Sequence, residues 1–390
     1  MNYHLMVDDK FIDGFINDAE SVSAGKNIYI IEGSSTTAKY VKHQLITFVN
    51  SLEAYLETLK NSITSNDKIF IHWLHYRLEE FLISLPAKIK IGLFFWGGEI
   101  VQDPREAYKK DNYEPITMKY FEKYIESKPR YLNPWKNPVN IIRNFKRQKQ
   151  FQLRIKKILE TKYQILARLD YFLHWNKFDY DWIKTKVPKF NPEFKYHFYE
   201  VGMDNNIPKL KNKKDKTLVL WLGNSATLSN NHFDALNLLR VYSQQDIKII
   251  CPMSYGDDDQ KYTSSVVEYG KEIFGSKFTA LTQFIQRSEY FKLFEEVDAV
   301  VMYHNRTQGA GNSFAFLMTG KKLFMQEKST VYQLLKENQA NLFFNKELAK
   351  MSIEKLRTPL TEEEISHNKK VVEKILDRDK KLETLQSLLN

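Results

Sequence analysis

The sequence predicts an α/β protein built from two doubly wound parallel-sheet domains, and three observations carry that prediction. Short apolar runs rich in branched and aromatic residues alternate with stretches of helical spacing along most of the chain. The rhythm is broken by a polar stretch, PKLKNKKDK at 208–216, which reads as a linker. At 390 residues the chain is long enough for about two domains, each burying its own core.

In the first half, Tyr3–Val7, Asn27–Ile31, Leu45–Phe48, Lys68–His72 and Ile89–Phe95 read as strands, with helices over Leu52–Asn61 and Leu74–Ser84. Residues near 100–160 read as a mostly helical, basic insertion. The second half alternates more regularly: strands at Thr217–Leu222, Ile247–Pro252, Thr279–Leu281, Asp298–Tyr303, Lys322–Gln326 and Asn341–Phe344. Helices are expected over Asn230–Tyr242, Gln260–Phe274 and Arg287–Glu296, from Asn312 and from Thr330. Repeated βα units of this length imply parallel sheets. The expected organisation is an N-terminal domain over 1–207, a linker over 208–216 and a C-terminal domain over 217–360. A charged amphipathic helix over 361–390 is expected to pack back on the first domain. Two Rossmann-like domains facing across a cleft form the GT-B architecture, in which strand-end loops carry the chemistry.

Composition excludes several classes. Hydrophobic residues make up 43% and charged residues 27%, and no stretch approaches the roughly 20 apolar residues of a membrane span. The N-terminus, MNYHLMVDD, lacks the pattern of a secretory signal, which favours the cytoplasm. The single cysteine, Cys251, ends an apolar run; it reads as a buried structural thiol and rules out an intrachain disulfide framework. The net charge of +10 is concentrated in 136–157, where Lys136, Arg143, Lys146, Arg147, Lys149, Arg154, Lys156 and Lys157 occur without an acid. Apolar residues lie between these charges, so the segment suits the anionic inner face of a membrane as a peripheral anchor. A solvated basic helix is the plainer reading. Nucleic acid is a third partner for such charge, yet the chain carries no nucleic-acid-binding motif.

The most informative segment is VDAVVMYHNRTQGAGNSFAFLMTGKKLFM, residues 297–325. A buried strand runs into a turn holding Tyr303, Arg306, Gln308, Gly309, Gly311 and Asn312, and then into a helix. Small residues there let backbone N–H groups approach an anion at the positive helix end, and Arg306 neutralises charge. Two further strand-end loops accompany it: Gly223, Asn224 and Ser225 with Asn230 and His232, and Pro252, Met253 and Tyr255.

In this order and spacing, these turns resemble the bacterial family that transfers 4-acetamido-4,6-dideoxygalactose (Fuc4NAc) from a dTDP-linked donor to lipid II of enterobacterial common antigen. FFWGGEI (94–100) is similar to that family's Trp-Gly-small-acid motif, and FINDA (15–19) to its early helix. The resemblance covers about 215–340 well and 1–100 in patches. It implies a GT-B glycosyltransferase with a nucleotide-sugar donor and a lipid-linked or surface-glycan acceptor.

The three loops of the second domain are then expected to hold the donor, Pro252 and Tyr255 meeting its base and ribose. Arg306 is expected to stabilise the leaving diphosphate. On the acceptor side, Glu99, Asp9 and Asp8 are candidate bases, and His72, Trp96, Gly97 and Gly98 candidate acceptor contacts. Asp257, Asp258 and Asp259 read as an acidic helix start rather than a metal motif, so neither metal nor cofactor is expected. The competing functions are nucleic-acid binding through the basic 136–157 segment and non-catalytic sugar-nucleotide binding.

Overall fold

The computed structural model describes residues 1–101, 111–125, 160–200, 217–257 and 260–390. These divide into two compact units, one taking 1–101, 160–200 and 376–390, the other 111–125, 217–257 and 260–375. The basic 136–157 segment, the 208–216 linker, Asp258 and Asp259 lie outside the described residues.

The first unit is a seven-stranded sheet: β1 (Asn2–Met6), β2 (Asn27–Glu32), β3 (Ile46–Val49), β4 (Lys68–His72), β5 (Lys90–Phe94), β6 (Tyr171–His174) and β7 (Glu193–Tyr196). Every pairing is parallel, in the order β3-β2-β1-β4-β5-β6-β7. Near-continuous apolar runs such as IFI at 69–71 explain this, because a parallel strand covered on both faces has no solvent side. Strand order reverses between β1 and β4, so the loops leaving these two strands splay apart and open a crevice. Asp8 and Asp9 follow β1, and Trp73 follows β4.

The second unit repeats the scheme with six strands: β8 (Leu218–Leu222), β9 (Ile247–Pro252), β10 (Phe278–Leu281), β11 (Ala299–Met302), β12 (Lys322–Met325) and β13 (Phe343–Phe344). The order is β10-β9-β8-β11-β12-β13, again parallel throughout. Here the reversal falls between β8 and β11, the strands that feed the Gly223 and Gln308 turns.

Four features differ from expectation. Strands β6 and β7, with the helix Lys177–Lys186 between them, extend the first sheet where no strand was anticipated. The expected helix over Leu74–Ser84 starts with a 3-10 turn at Tyr76–Leu78 and is α-helical only over Glu79–Ser84.

The expected insertion is not all part of the first domain. Residues 111–125 belong to the second unit, because the buried Asp234 carboxylate accepts the backbone N–H groups of Ile116 and Thr117 at 2.8 and 2.9 Å and the Thr117 hydroxyl at 2.7 Å. An acid there satisfies free N–H groups at the start of the helix Pro115–Tyr120.

The C-terminal stretch forms two helices rather than one. Glu362–Ile375 stays with the second unit, and Arg378–Leu389 joins the first. Leu385, Leu388 and Leu389 enter the core beside Ile12, Phe15 and Ile16, each worth about 1.5–3 kcal/mol on full burial. Lys381 is fully buried and bridges Asp18 at 2.6 Å and Glu200 at 2.9 Å, so its charge is paired rather than stranded.

Candidate active site

In the second unit, the turn after β8 is built around a glycine. Gly223 has φ +71°, and a Cβ there would lie 2.7 Å from Asn230 Oδ1 and 3.0 Å from His232 Nε2. The buried Trp221 indole N–H donates to the Gly223 carbonyl at 2.9 Å, and Asn224 N–H donates to Asn230 Oδ1 at 3.0 Å. Asn230 Nδ2 in turn reaches Ser225 Oγ and Thr227 Oγ1 at 3.1 and 3.0 Å. The turn is therefore rigid and presents small polar groups.

The other two loops are tied to it. Gln308 Nε2 lies within donating distance of Asn224 Oδ1, Ser225 Oγ and Thr227 Oγ1, at 3.1, 3.2 and 2.7 Å, while Gln308 Oε1 accepts from Ser229 Oγ at 2.5 Å. Asn224 Nδ2 donates to the Tyr255 hydroxyl at 3.0 Å. Tyr255 is 60% exposed, so its ring remains open to stacking. Gly309, at φ +62°, precedes the helix Ala310–Met318 and approaches Asn224 so closely that a Cβ would lie 3.1 Å from Asn224 Cγ. Asn312 on that helix donates to the Tyr290 hydroxyl at 2.9 Å. Gly311, Asn312 and Tyr303 are half-buried.

Several expected donor contacts hold the scaffold. Asn230 and His232 are fully buried behind the Gly223 turn, His232 with Nδ1 at 3.0 Å from the Tyr262 hydroxyl. Met253 is core, and Pro252 is buried at the end of β9. Arg306 is also buried: Nε donates to Ser229 Oγ at 3.2 Å and Nη1 to the Thr307 carbonyl at 2.9 Å. It is a fixed positive charge beneath the loop, not an arm reaching out of it.

In the first unit, the three candidate acids have separated fates. Asp8 accepts the N–H groups of Lys39, Tyr40 and Val41 at 2.6, 3.0 and 3.0 Å; burial pushes its pKa up, but those donors outweigh it and hold the group below its ordinary value. Asp8 thus anchors the 39–41 loop. Glu99 is 4% exposed, its carboxylate turned back onto the Trp96 N–H at 2.9 Å, and burial pushes its pKa up to about 7. Asp9 is half-buried, accepts the Phe11 N–H at 3.2 Å, and is raised by burial.

An aromatic corner adjoins Glu99 and Asp9. Trp96 lies 5.6 Å from Phe11, 5.2 Å from Tyr199 and 5.8 Å from Trp73, centroid to centroid. Trp73 has φ +81°, a left-handed conformation that costs a bulky residue about 1–3 kcal/mol and persists only where its surroundings impose it. Gly97 and Gly98 are buried in the turn beneath Trp96. His72, expected to contact the acceptor, is fully buried; its Nδ1 lies 2.5 Å from the Tyr199 hydroxyl, so any influence passes through Tyr199. Tyr199 and Trp73 were not singled out from sequence. The aromatic run YHFYE at 196–200 was the signal available for Tyr199.

Among the described residues, no group of three or more His, Cys, Asp and Glu is placed to hold a metal ion, and no helix is long and apolar enough to cross a membrane.

The fold is shared with the N-terminal domain of Candida albicans trehalose-6-phosphate phosphatase (TM-score 0.58, 11% identity, 100% of this chain and 95% of that one). It is shared too with α,α-trehalose 6-phosphate synthase of Burkholderia multivorans (0.58, 10%, 99% and 95%). Anabaena HepE, solved with UDP and glucose, is a third (0.56, 11%, 100% and 98%). Two Rossmann-like parallel-sheet domains of this kind form the GT-B fold. Residues 167–369, just over half of the chain, match the family described as 4-alpha-L-fucosyltransferase, glycosyl transferase group 56, and the chain belongs to that family.

Proposed function

We propose that this glycosyltransferase moves a fucose-type deoxy-amino sugar, Fuc4NAc or a close relative, from a dTDP-linked donor to a lipid-linked or surface-glycan acceptor. The observation that carries the donor side is the lacing of three strand-end turns at one topological switch point: Gln308 to Asn224, Asn224 to Tyr255, with Gly309 opening a helix beside them. Backbone N–H groups at that helix start and the buried Arg306 charge favour a diphosphate. Tyr255 offers a stacking face for the base. The HepE structure holds UDP and glucose in the same general fold, which supports a nucleotide-sugar reading.

Metal-independent transfer requires the protein to stabilise the departing diphosphate itself, and fixed charge with oriented N–H donors does so without reorganisation. Asp9 is the proposed base, because it is the candidate acid that is neither buried under a turn nor saturated with backbone donors. The basic 136–157 segment is the proposed contact with anionic headgroups at the inner face of the cell membrane. Neutralising four of its charges should weaken sedimentation with anionic liposomes, and unchanged sedimentation removes this part of the reading.

The direct test incubates the enzyme with dTDP-Fuc4NAc and a lipid-linked glycan and follows transfer by mass spectrometry, with and without chelator. Transfer in both supports the proposal. No transfer from any dTDP-linked deoxy-amino sugar, with transfer from another nucleotide sugar, replaces the donor.

A further inference from the structure

A buried polar chain runs from the core of the first unit to its strand-end corner. His4 Nε2 lies 3.4 Å from Asn27 Oδ1, His4 Nδ1 lies 3.0 Å from His72 Nε2, and His72 Nδ1 lies 2.5 Å from the Tyr199 hydroxyl. Both histidines are fully buried.

The direction of this chain follows from its inner end. Asn27 Nδ2 donates to Glu20 Oε1 at 2.9 Å and to the Ser23 carbonyl at 2.8 Å, and Asn27 Oδ1 accepts from Asn2 Nδ2 at 3.0 Å. The amide orientation is therefore fixed, with oxygen toward His4. His4 Nε2 must carry a proton, since a bare nitrogen there would set lone pair against lone pair. Burial keeps both rings neutral, lowering the pKa of His4 to about 3 and that of His72 well below its ordinary value. A neutral ring has one N–H, so His4 Nδ1 accepts, His72 Nε2 donates to it, and His72 Nδ1 accepts. What remains to donate to His72 Nδ1 is the Tyr199 hydroxyl.

We infer that His4 and His72 are positioning residues, a one-way donor chain that commits the Tyr199 proton inward and leaves its oxygen as a hydrogen-bond acceptor for a hydroxyl of the acceptor sugar. Tyr199 is half-buried in the corner with Trp96 and Phe11, at 5.2 and 5.7 Å; the Trp96 side chain engages one lone pair of its hydroxyl oxygen, which leaves the other for a ligand, and Glu99 and Asp9 act on it through charge. The Tyr199 oxygen and the half-buried Asp9 carboxylate beside an aromatic corner suit a neutral pyranose, whose hydroxyls donate and whose C–H face packs on a ring. An anionic group would meet lone pairs and carboxylates. The ligand assignment rests on the glycosyltransferase reading; the proton direction does not.

The test has two arms. ¹⁵N–¹H correlation spectra of the full-length protein should show His4 and His72 as neutral Nε2–H tautomers throughout the range from about pH 6 to pH 8. A proton on Nδ1 of either ring, or an imidazolium, overturns the chain. In kinetics, Tyr199→Phe should raise the KM for the glycan acceptor about tenfold, the scale of one hydrogen bond, with nucleoside diphosphate affinity by calorimetry retained. His4→Phe, remote from the corner, should shift the His72 tautomer and raise the same KM. An unchanged acceptor KM in both variants overturns the sugar-hydroxyl assignment even where the tautomers are as expected. If the wild type transfers no sugar, the functional reading fails while the tautomer result stands by itself.

Discussion

Gln308 and Asn224 stand 84 positions apart, yet Gln308 Nε2 donates to Asn224 Oδ1 at 3.1 Å and so joins the turns that leave β11 and β8. Removing that amide in Gln308→Ala leaves Asn224, Ser225 and Thr227 without their common donor. Affinity for the nucleoside diphosphate should fall about tenfold, since one or two hydrogen bonds hold the turn geometry. Isothermal titration calorimetry measures it, and Gln308→Glu should do no better, because a carboxylate accepts but does not donate.

Gly223→Ala tests the turn from its backbone. A left-handed residue with a Cβ 2.7 Å from Asn230 Oδ1 must strain or displace the Asn230 network. We expect a loss of about 1–3 kcal/mol in urea unfolding, together with weaker nucleotide binding. A variant with wild-type stability would show that the network yields without cost.

Glu99 predicts a pH dependence of stability. Its folded pKa is raised from 4.5 to about 7 by burial, so between these values the folded state binds a proton that the unfolded state has released. Stability from this group is therefore present below about pH 4.5 and lost as pH rises through about 7. Glu99→Gln should be more stable than wild type at pH 8, with a smaller advantage at pH 5, as read from paired thermal melts. An equal effect at both pH values would mean that the carboxylate is charged throughout.

Asp9→Asn and Arg306→Ala should separate base from leaving-group stabiliser. Loss of the base should lower kcat by about 10²–10⁴ with nucleotide affinity kept. The acid limb of the wild-type profile should lie above the usual aspartate range, since burial raises Asp9. Arg306→Ala should lower turnover and weaken diphosphate binding together, because the charge lies beneath the donor turn.

The parallel sheets and the turns after β8, β9 and β11 were legible because the relevant signals are local. A strand covered on both faces is an apolar run, and a phosphate-approaching turn needs small residues at fixed offsets from it. The burial of Asn230, His232 and Met253 was not legible, because polarity or position in a motif does not say which side of a turn a side chain faces. His72, a candidate acceptor contact by its place at a strand end, is fully buried, which was not legible for the same reason. Tyr199 and β6–β7 escaped notice because their partners, Trp96, His72 and β5, are far away in sequence. Asp234 shows the same limit: an acid next to an expected helix start in fact caps a different helix over 115–120.

The most direct test is a thermal-shift titration with dTDP, UDP and GDP on the wild type and on Gln308→Ala. The account expects dTDP to stabilise the wild type most, by about 2.7 kcal/mol at a hundredfold excess over Kd, and to stabilise Gln308→Ala much less at the same concentration. Equal stabilisation of both proteins, or none of the wild type by any of the three nucleotides, would contradict the placement of the donor in the turns after β8, β9 and β11.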